Sequence, residues 1–120
     1  MAIFRFVVRF NRSDNPRAVG LLKDAHALGF AELKLIQCQD LYFIEGDLLP
    51  DECQRLALTL LTDPVTQSAE WDELPVARPD LDSDASILEV ALRPGVTDPV
   101  ADEIVRAAHE LGMAGIVRAS

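Results

Sequence analysis

The chain reads as an α+β protein of antiparallel sheets with helices on one face, a β-α-β-β-α-β unit followed by a shortened β-α-β copy of itself. Three observations lead there. The segment AHALGF at Ala25 to Phe30 returns as AHELGM at Ala108 to Met113, a shift of 83 positions (108 − 25 = 83). The residues leading into both segments share one helical apolar spacing. Near the start, Phe4, Phe6, Val8 and Phe10 alternate with Arg5, Val7 and Arg9, the period-two pattern of a half-buried strand.

After that strand, Asn15-Pro16 sets a capping side chain ahead of a proline at the first helical position, and such a cap contributes about 1 kcal/mol. Ala18, Leu21, Leu22, Ala25 and Leu28 then form one stripe, and Gly29 ends the helix because glycine enters the left-handed conformation without strain. Residues 32–39 and 41–46 are apolar runs that predict a hairpin about Gln39-Asp40. Pro50, with Asp51 and Glu52 in a first turn, opens a helix whose Cys53, Leu56, Ala57 and Leu60 share a face and which Asp63-Pro64 closes. Residues 65–71 complete the unit as its fourth strand.

Residues 72–85, rich in proline and acid, read as a linker between a first repeat, 1–71, and a second, 86–120. In the second, residues 87–95 predict a strand, Asp98-Pro99 starts a helix, and residues 114–120 predict a closing strand. Ala101, Ile104, Val105, Ala108 and Leu111 reproduce the first stripe position for position, and Gly112 stands where Gly29 stood. The identities are Pro16 with Pro99, Ala18 with Ala101, Ala25 with Ala108, His26 with His109, Leu28 with Leu111 and Gly29 with Gly112. An approximate twofold relation is expected, with Leu22 and Val105 both buried. The second copy lacks a strand, a helix and a strand, which suggests the N-terminal piece of a longer protein. It should also leave apolar surface and strand edges uncovered, so a homodimer is expected.

Composition limits the function. A chain of 120 residues, 49% hydrophobic and 26% charged, supports a packed core that buries roughly two thirds of the unfolded surface. The formal charge of −9 repels phosphate backbones and argues against nucleic acid. Two cysteines, Cys38 and Cys53, make no disulfide framework and suit a reducing cytoplasm. Arg5 and Arg9 interrupt the first apolar run, unlike a signal peptide, and no segment is long enough to span a bilayer.

Three chemistries can be weighed from the residues alone. Zinc needs four converging ligands at short spacing, whereas Cys38, Cys53, His26 and His109 fit no such pattern. The two histidines lie beside their helix stripes near the last turn, where a cation favours the helix dipole, and read as boundary side chains. Cys38 has no histidine or glycine elbow near it in sequence, so packing is a better account than nucleophilic catalysis. The acidic run from Asp72 to Asp84 lacks the spacing and turn glycine of a calcium loop and reads as solvated linker.

Residues 88–120, with Arg93-Pro94-Gly95-Val96-Thr97-Asp98-Pro99, Leu111-Gly112 and Val117-Arg118, resemble the PurS family. That family comprises the small subunit of phosphoribosylformylglycinamidine synthase and the PurS-like N-terminal region of its single-chain form. The first repeat is similar more faintly, through Asn15-Pro16, Leu28-Gly29, LYFIEG at residues 41–46 and LLTDPVTQSAEW at residues 60–71. Ala101 stands where many members have glycine, and Ala119-Ser120 replaces a glycine-lysine pair.

The resemblance implies a tandem PurS-like repeat in which two folds work side by side. It implies a scaffold in purine biosynthesis that couples a glutaminase to an ATP-dependent synthetase, with both as partners and with no catalytic, cofactor or metal residue of its own. ATP and magnesium belong to the parent enzyme, a C–N ligase. Arg93, Asp98 and Arg118, from the matched motifs, are the candidate partner contacts. The alternative is an ACT-like regulatory domain that binds a small molecule, since ferredoxin-like topology shares this element order. RNA-recognition modules share it too, but LYFIEG lacks their basic, multiply aromatic stacking motif.

Overall fold

The computed structural model describes residues 2–12, 15–75, 86–93 and 95–120. Its elements are β1 (Ala2–Phe10), α1 (Pro16–Ala27), β2 (Gln39–Gly46), α2 (Pro50–Leu56) running into a π-helical turn (Ala57–Leu61), β3 (Gln67–Glu73), α3 (Pro99–Glu110) and β4 (Ile116–Ala119). The strands form one sheet in the order β3-β1-β2-β4, with every neighbouring pair antiparallel.

β1 is the centre because its alternation gives it a wholly apolar face. Phe4, Phe6 and Val8 are buried, and the strand pairs on both sides, Phe4 opposite Ile44 of β2 and Phe6 opposite Trp71 of β3. The Phe6 and Trp71 rings stack with centroids 6.1 Å apart. Cys53, Leu56, Ala57 and Leu61 cover this face from α2 and the π-helical turn, and Ile104 and Ala108 cover it from α3, with Met113 and Ile116 closing the cluster. The predicted face of the second helix ended at Leu60. The π-helical turn carries one more residue than an α-turn, so the last inward position passes to Leu61 and Leu60 is half-buried.

The two repeats do not build two sheets. Residues 32–38 form no strand and no hairpin with β2, and the described part of the expected strand at 87–95, residues 87–93 and 95, is not a strand either. Instead α3 and β4, from the second repeat, complete the sheet of the first. β4 lies along β2 with Ile44 opposite Ala119, Glu45 opposite Arg118 and Gly46 opposite Ile116, a bulge separating the last two pairs. Phe43 and Ser120 exchange hydrogen bonds of 2.8 and 2.9 Å beyond them. Leu22 and Val105, both expected in the core, are half-buried. α3 instead turns Ala101, Ile104 and Ala108 inward, while α1 buries only Ala18.

The bulge marks an unusually close approach of two backbones. A Cβ on Gly46 would collide with the Gly115 carbonyl and stand 2.8 Å from Ile116 Cα, while a Cβ on Gly115 would collide with the Asp47 carbonyl. The Asp47 N–H donates to the Gly115 carbonyl at 3.1 Å, so the contact is a bonded one. Rigid backbone on both sides leaves nothing flexible to give way. Gly46→Ala should therefore lower folding stability by about 1–3 kcal/mol, the usual range for overpacking, as measured by urea denaturation. Gly20→Ala, in α1 with open space around the added methyl, should leave the global midpoint unchanged or slightly raised.

Candidate interaction surface

α1 and α3, each with the turn that follows, are built alike in detail. Asn15 Oδ1 accepts from the Arg17 N–H at 3.0 Å, and Asp98 Oδ1 accepts from the Ala101 N–H at 3.1 Å, so each helix start has its side-chain cap. At the other end Phe30 N–H donates to the Ala25 carbonyl and Met113 N–H to the Ala108 carbonyl, both at 3.0 Å. Gly29 and Gly112 make those turns with φ of 103° and 87°. His26 Nε2 donates to the Leu33 carbonyl at 2.6 Å, and His109 Nε2 to the Ile116 carbonyl at 2.7 Å. A carbonyl only accepts, so Nε2 carries the hydrogen in both. The sequence reading placed these histidines at a boundary; their further work, tying each helix end to the segment seven residues on, was visible only as the repeated AHxLG.

The surroundings of the two units differ sharply. Met113 and Ile116 are each 1% exposed, whereas their counterparts Phe30 and Leu33 are 64% and 40% exposed. Leu21, Leu28 and Leu35 extend the bare surface of the first unit, and Ile87, Leu88, Val90 and Leu92 form a second exposed apolar run ahead of α3. Isolated exposed apolar residues are ordinary, but contiguous runs of this kind mark docking surfaces. One polar tie holds the start of α1 near β2: Arg17 Nη1 lies 3.0 Å from Asp40 Oδ1, and that hydrogen bond holds the guanidinium above its ordinary pKa.

The candidate contact residues fall in three separate local arrangements. Asp98 is engaged in the α3 cap. Arg118, mostly exposed on β4, has its Nε 3.7 Å from Glu45 Oε2 across the strand pair. Arg93 is exposed and makes no side-chain hydrogen bond or ion pair among the described residues. No hydrogen bond or ion pair joins any two of the three among the described residues. On the outer face of α3, Arg106 bonds Glu103 and, at 2.6 Å, Glu110, pairs that hold the guanidinium above its usual range and the Glu103 carboxyl below its own. Cys53 is buried against the sheet, and desolvation raises its thiol pKa, away from nucleophile chemistry. Among the described residues no three His, Cys, Asp or Glu side chains converge as metal ligands, and no helix is long and apolar enough to cross a membrane. The acidic run from Asp72 to Asp84 lies largely outside the described residues.

No family model matches the chain, and no curated protein does. Among solved structures it is similar to the crystal structure of Methanocaldococcus jannaschii PurS, one of the subunits of formylglycinamide ribonucleotide amidotransferase in the purine biosynthetic pathway. The two share 18% identity and superpose with a TM-score of 0.56 over 64% of this chain and all of that one. The chain thus has a PurS-like fold, an antiparallel four-stranded sheet with helices.

Because the same histidine bond is made in a packed unit and in a bare one, its removal should have unequal effects. His109→Ala leaves the Ile116 carbonyl without its partner beside the core and should lower global stability by about 1 kcal/mol. His26→Ala should lower global stability by no more than about 0.3 kcal/mol, since unfolding of the sheet does not depend on that bond. Equal losses from the two variants would mean that α1 is part of the cooperative core.

Proposed function

We propose that this chain is a non-catalytic scaffold of a glutamine-dependent amidotransferase of purine biosynthesis, holding a glutaminase part and an ATP-dependent synthetase part together. The single observation behind this is the PurS-like fold, matched over the whole of a protein that is itself one subunit of such an enzyme. Two features of the chain agree with a docking role. Its exposed apolar runs, around α1 and at residues 87–92, supply area that water solvates poorly. Arg93 and Arg118 extend from the surface, and a guanidinium gives bidentate bonds to a carboxylate across an interface. Asp98 acts one step removed, by fixing the start of α3 beside them in sequence.

ATP and magnesium would be bound by the synthetase part. In this reading the contribution of the chain to turnover is positional, through the placing of its partners. The same exposed surface suits a pair of these chains, and a homodimer within the assembly belongs to the proposal.

The test uses the glutaminase and synthetase parts with and without this chain, supplied with either glutamine or free ammonia. The chain should raise glutamine-dependent turnover and leave ammonia-dependent turnover unchanged. Equal glutamine-dependent rates with and without it, or glutamine hydrolysis by the chain alone, would overturn the scaffold role. Arg93→Glu should weaken assembly at least about tenfold while folding stability moves by less than about 0.5 kcal/mol, the usual limit for a surface substitution, whereas Arg118→Glu would also set two carboxylates opposite each other across the β2–β4 pair.

A further inference from the structure

The sheet has one place for a helix–strand unit beside β2, and the chain carries two units made to the same internal plan. The occupied place lies in the cluster that joins Ile44, Cys53, Leu56 and Leu61 to Ile104 and Ala108 of α3, Met113 of the turn after it and Ile116 of β4. At the 83-residue shift those four correspond to Leu21, Ala25, Phe30 and Leu33, apolar in every case. Helix cap, glycine turn and histidine bond are already formed in the bare unit, so its ordering cost has largely been met before it docks.

The strand register points the same way. β4 pairs with β2 as Ala119 opposite Ile44 and Arg118 opposite Glu45. Shifted by 83, these become Ile36 opposite Ile44 and Leu35 opposite Glu45 (119 − 83 = 36; 118 − 83 = 35). Continued toward the turn, that register brings Cys38 opposite Tyr42 and leaves Gln39, Asp40 and Leu41 between them as a three-residue hairpin loop, at the cost of their present pairing with Arg9, Val8 and Val7 of β1. The place now held by β4 is therefore one that residues 33–38 reach through the chain's own short connection.

One position separates the two occupants. Gly115, where a Cβ would strike the Asp47 carbonyl, corresponds to Glu32. We infer that the α1 unit, residues 16–38, is an alternative occupant of the place held by α3 and β4, that Glu32 opposite Asp47 keeps it out, and that it enters when α3 and β4 leave. The apolar surface offered to a partner then changes from the α1 unit to the α3 unit, while the sheet keeps four strands and β2 shortens by the residues that form the loop.

The test is hydrogen–deuterium exchange on the full chain carrying Gly115→Glu. Amides of residues 33–38 should exchange at least about tenfold more slowly than in the unmodified chain, those of residues 116–119 faster, and Phe43 should stay protected. The pattern should not change on tenfold dilution. Loss of protection at 116–119 with no gain at 33–38, or a gain that disappears on dilution and so comes from another chain, would overturn the inference. If Gly115→Glu fails to fold, Glu32→Gly decides, because it leaves the present packing intact. It should produce a second set of NMR signals for Phe43 and Ile44 with at least about one tenth of the intensity, and a single unshifted set would overturn the inference.

Discussion

The contact between Gly46 and Gly115 is the constraint on which the rest of the packing depends. Two backbones meet there without side chains, and the Asp47 N–H bonds to the Gly115 carbonyl at 3.1 Å. That approach sets the bulge in the β2–β4 ladder, and the bulge fixes which residues of β4 face the core. With Ile116 turned inward, α3 packs against β4 and the π-helical turn, and its Ile104 and Ala108 enter the same cluster as Phe4, Phe6, Ile44, Leu56 and Leu61. A shift of one residue would send Ile116 to solvent and detach the helix with it.

A sheet of this size needs its apolar face covered once, and the chain has more helix than that face can hold. α2 with its π-helical turn takes one half and α3 the other. α1 remains outside with Ala18 alone buried, although its caps and turn are complete. Its structure comes from local hydrogen bonds, whereas that of α3 comes from local bonds together with burial. The ion pairs of Arg106 with Glu103 and Glu110 sit at helical spacing on the exposed side of α3 and leave its inner face free to pack. Local architecture and tertiary placement are separable here, because the same motif occurs with and without the second.

In the proposed scaffold role the uncovered unit has a use. Apolar area withheld from the core is available for association, and a preformed helix loses little conformational freedom when it docks. The charge of −9 discourages contact with other acidic surfaces, so specificity would rest on the few cations at the edges, among them Arg93 and Arg118. A subunit that positions its partners requires such surfaces and no reactive group of its own.

The residues alone determined α1 and α3 and their ends, because each is written in a few neighbouring positions: a cap and proline at Asn15-Pro16 and Asp98-Pro99, and glycines at 29 and 112 with positive φ. They also determined the apolar face of β1 and, through the motifs at 93–99 and 111–118, the likeness to PurS that the fold bears out. What they left open was which of two near-identical units would pack. Both stripes are apolar and both turns are formed, so periodicity predicted burial for Leu22 and Val105 alike, a hairpin at 32–46 and a strand at 87–95. The two units differ at Gly115, which aligns with Glu32, a pair that looks ordinary in sequence and differs in consequence because the backbone of Asp47 lies against Gly115 in the folded chain. Sterics between residues 68 positions apart (115 − 47 = 68) leave no local pattern, and for that reason the tertiary structure alone decided it.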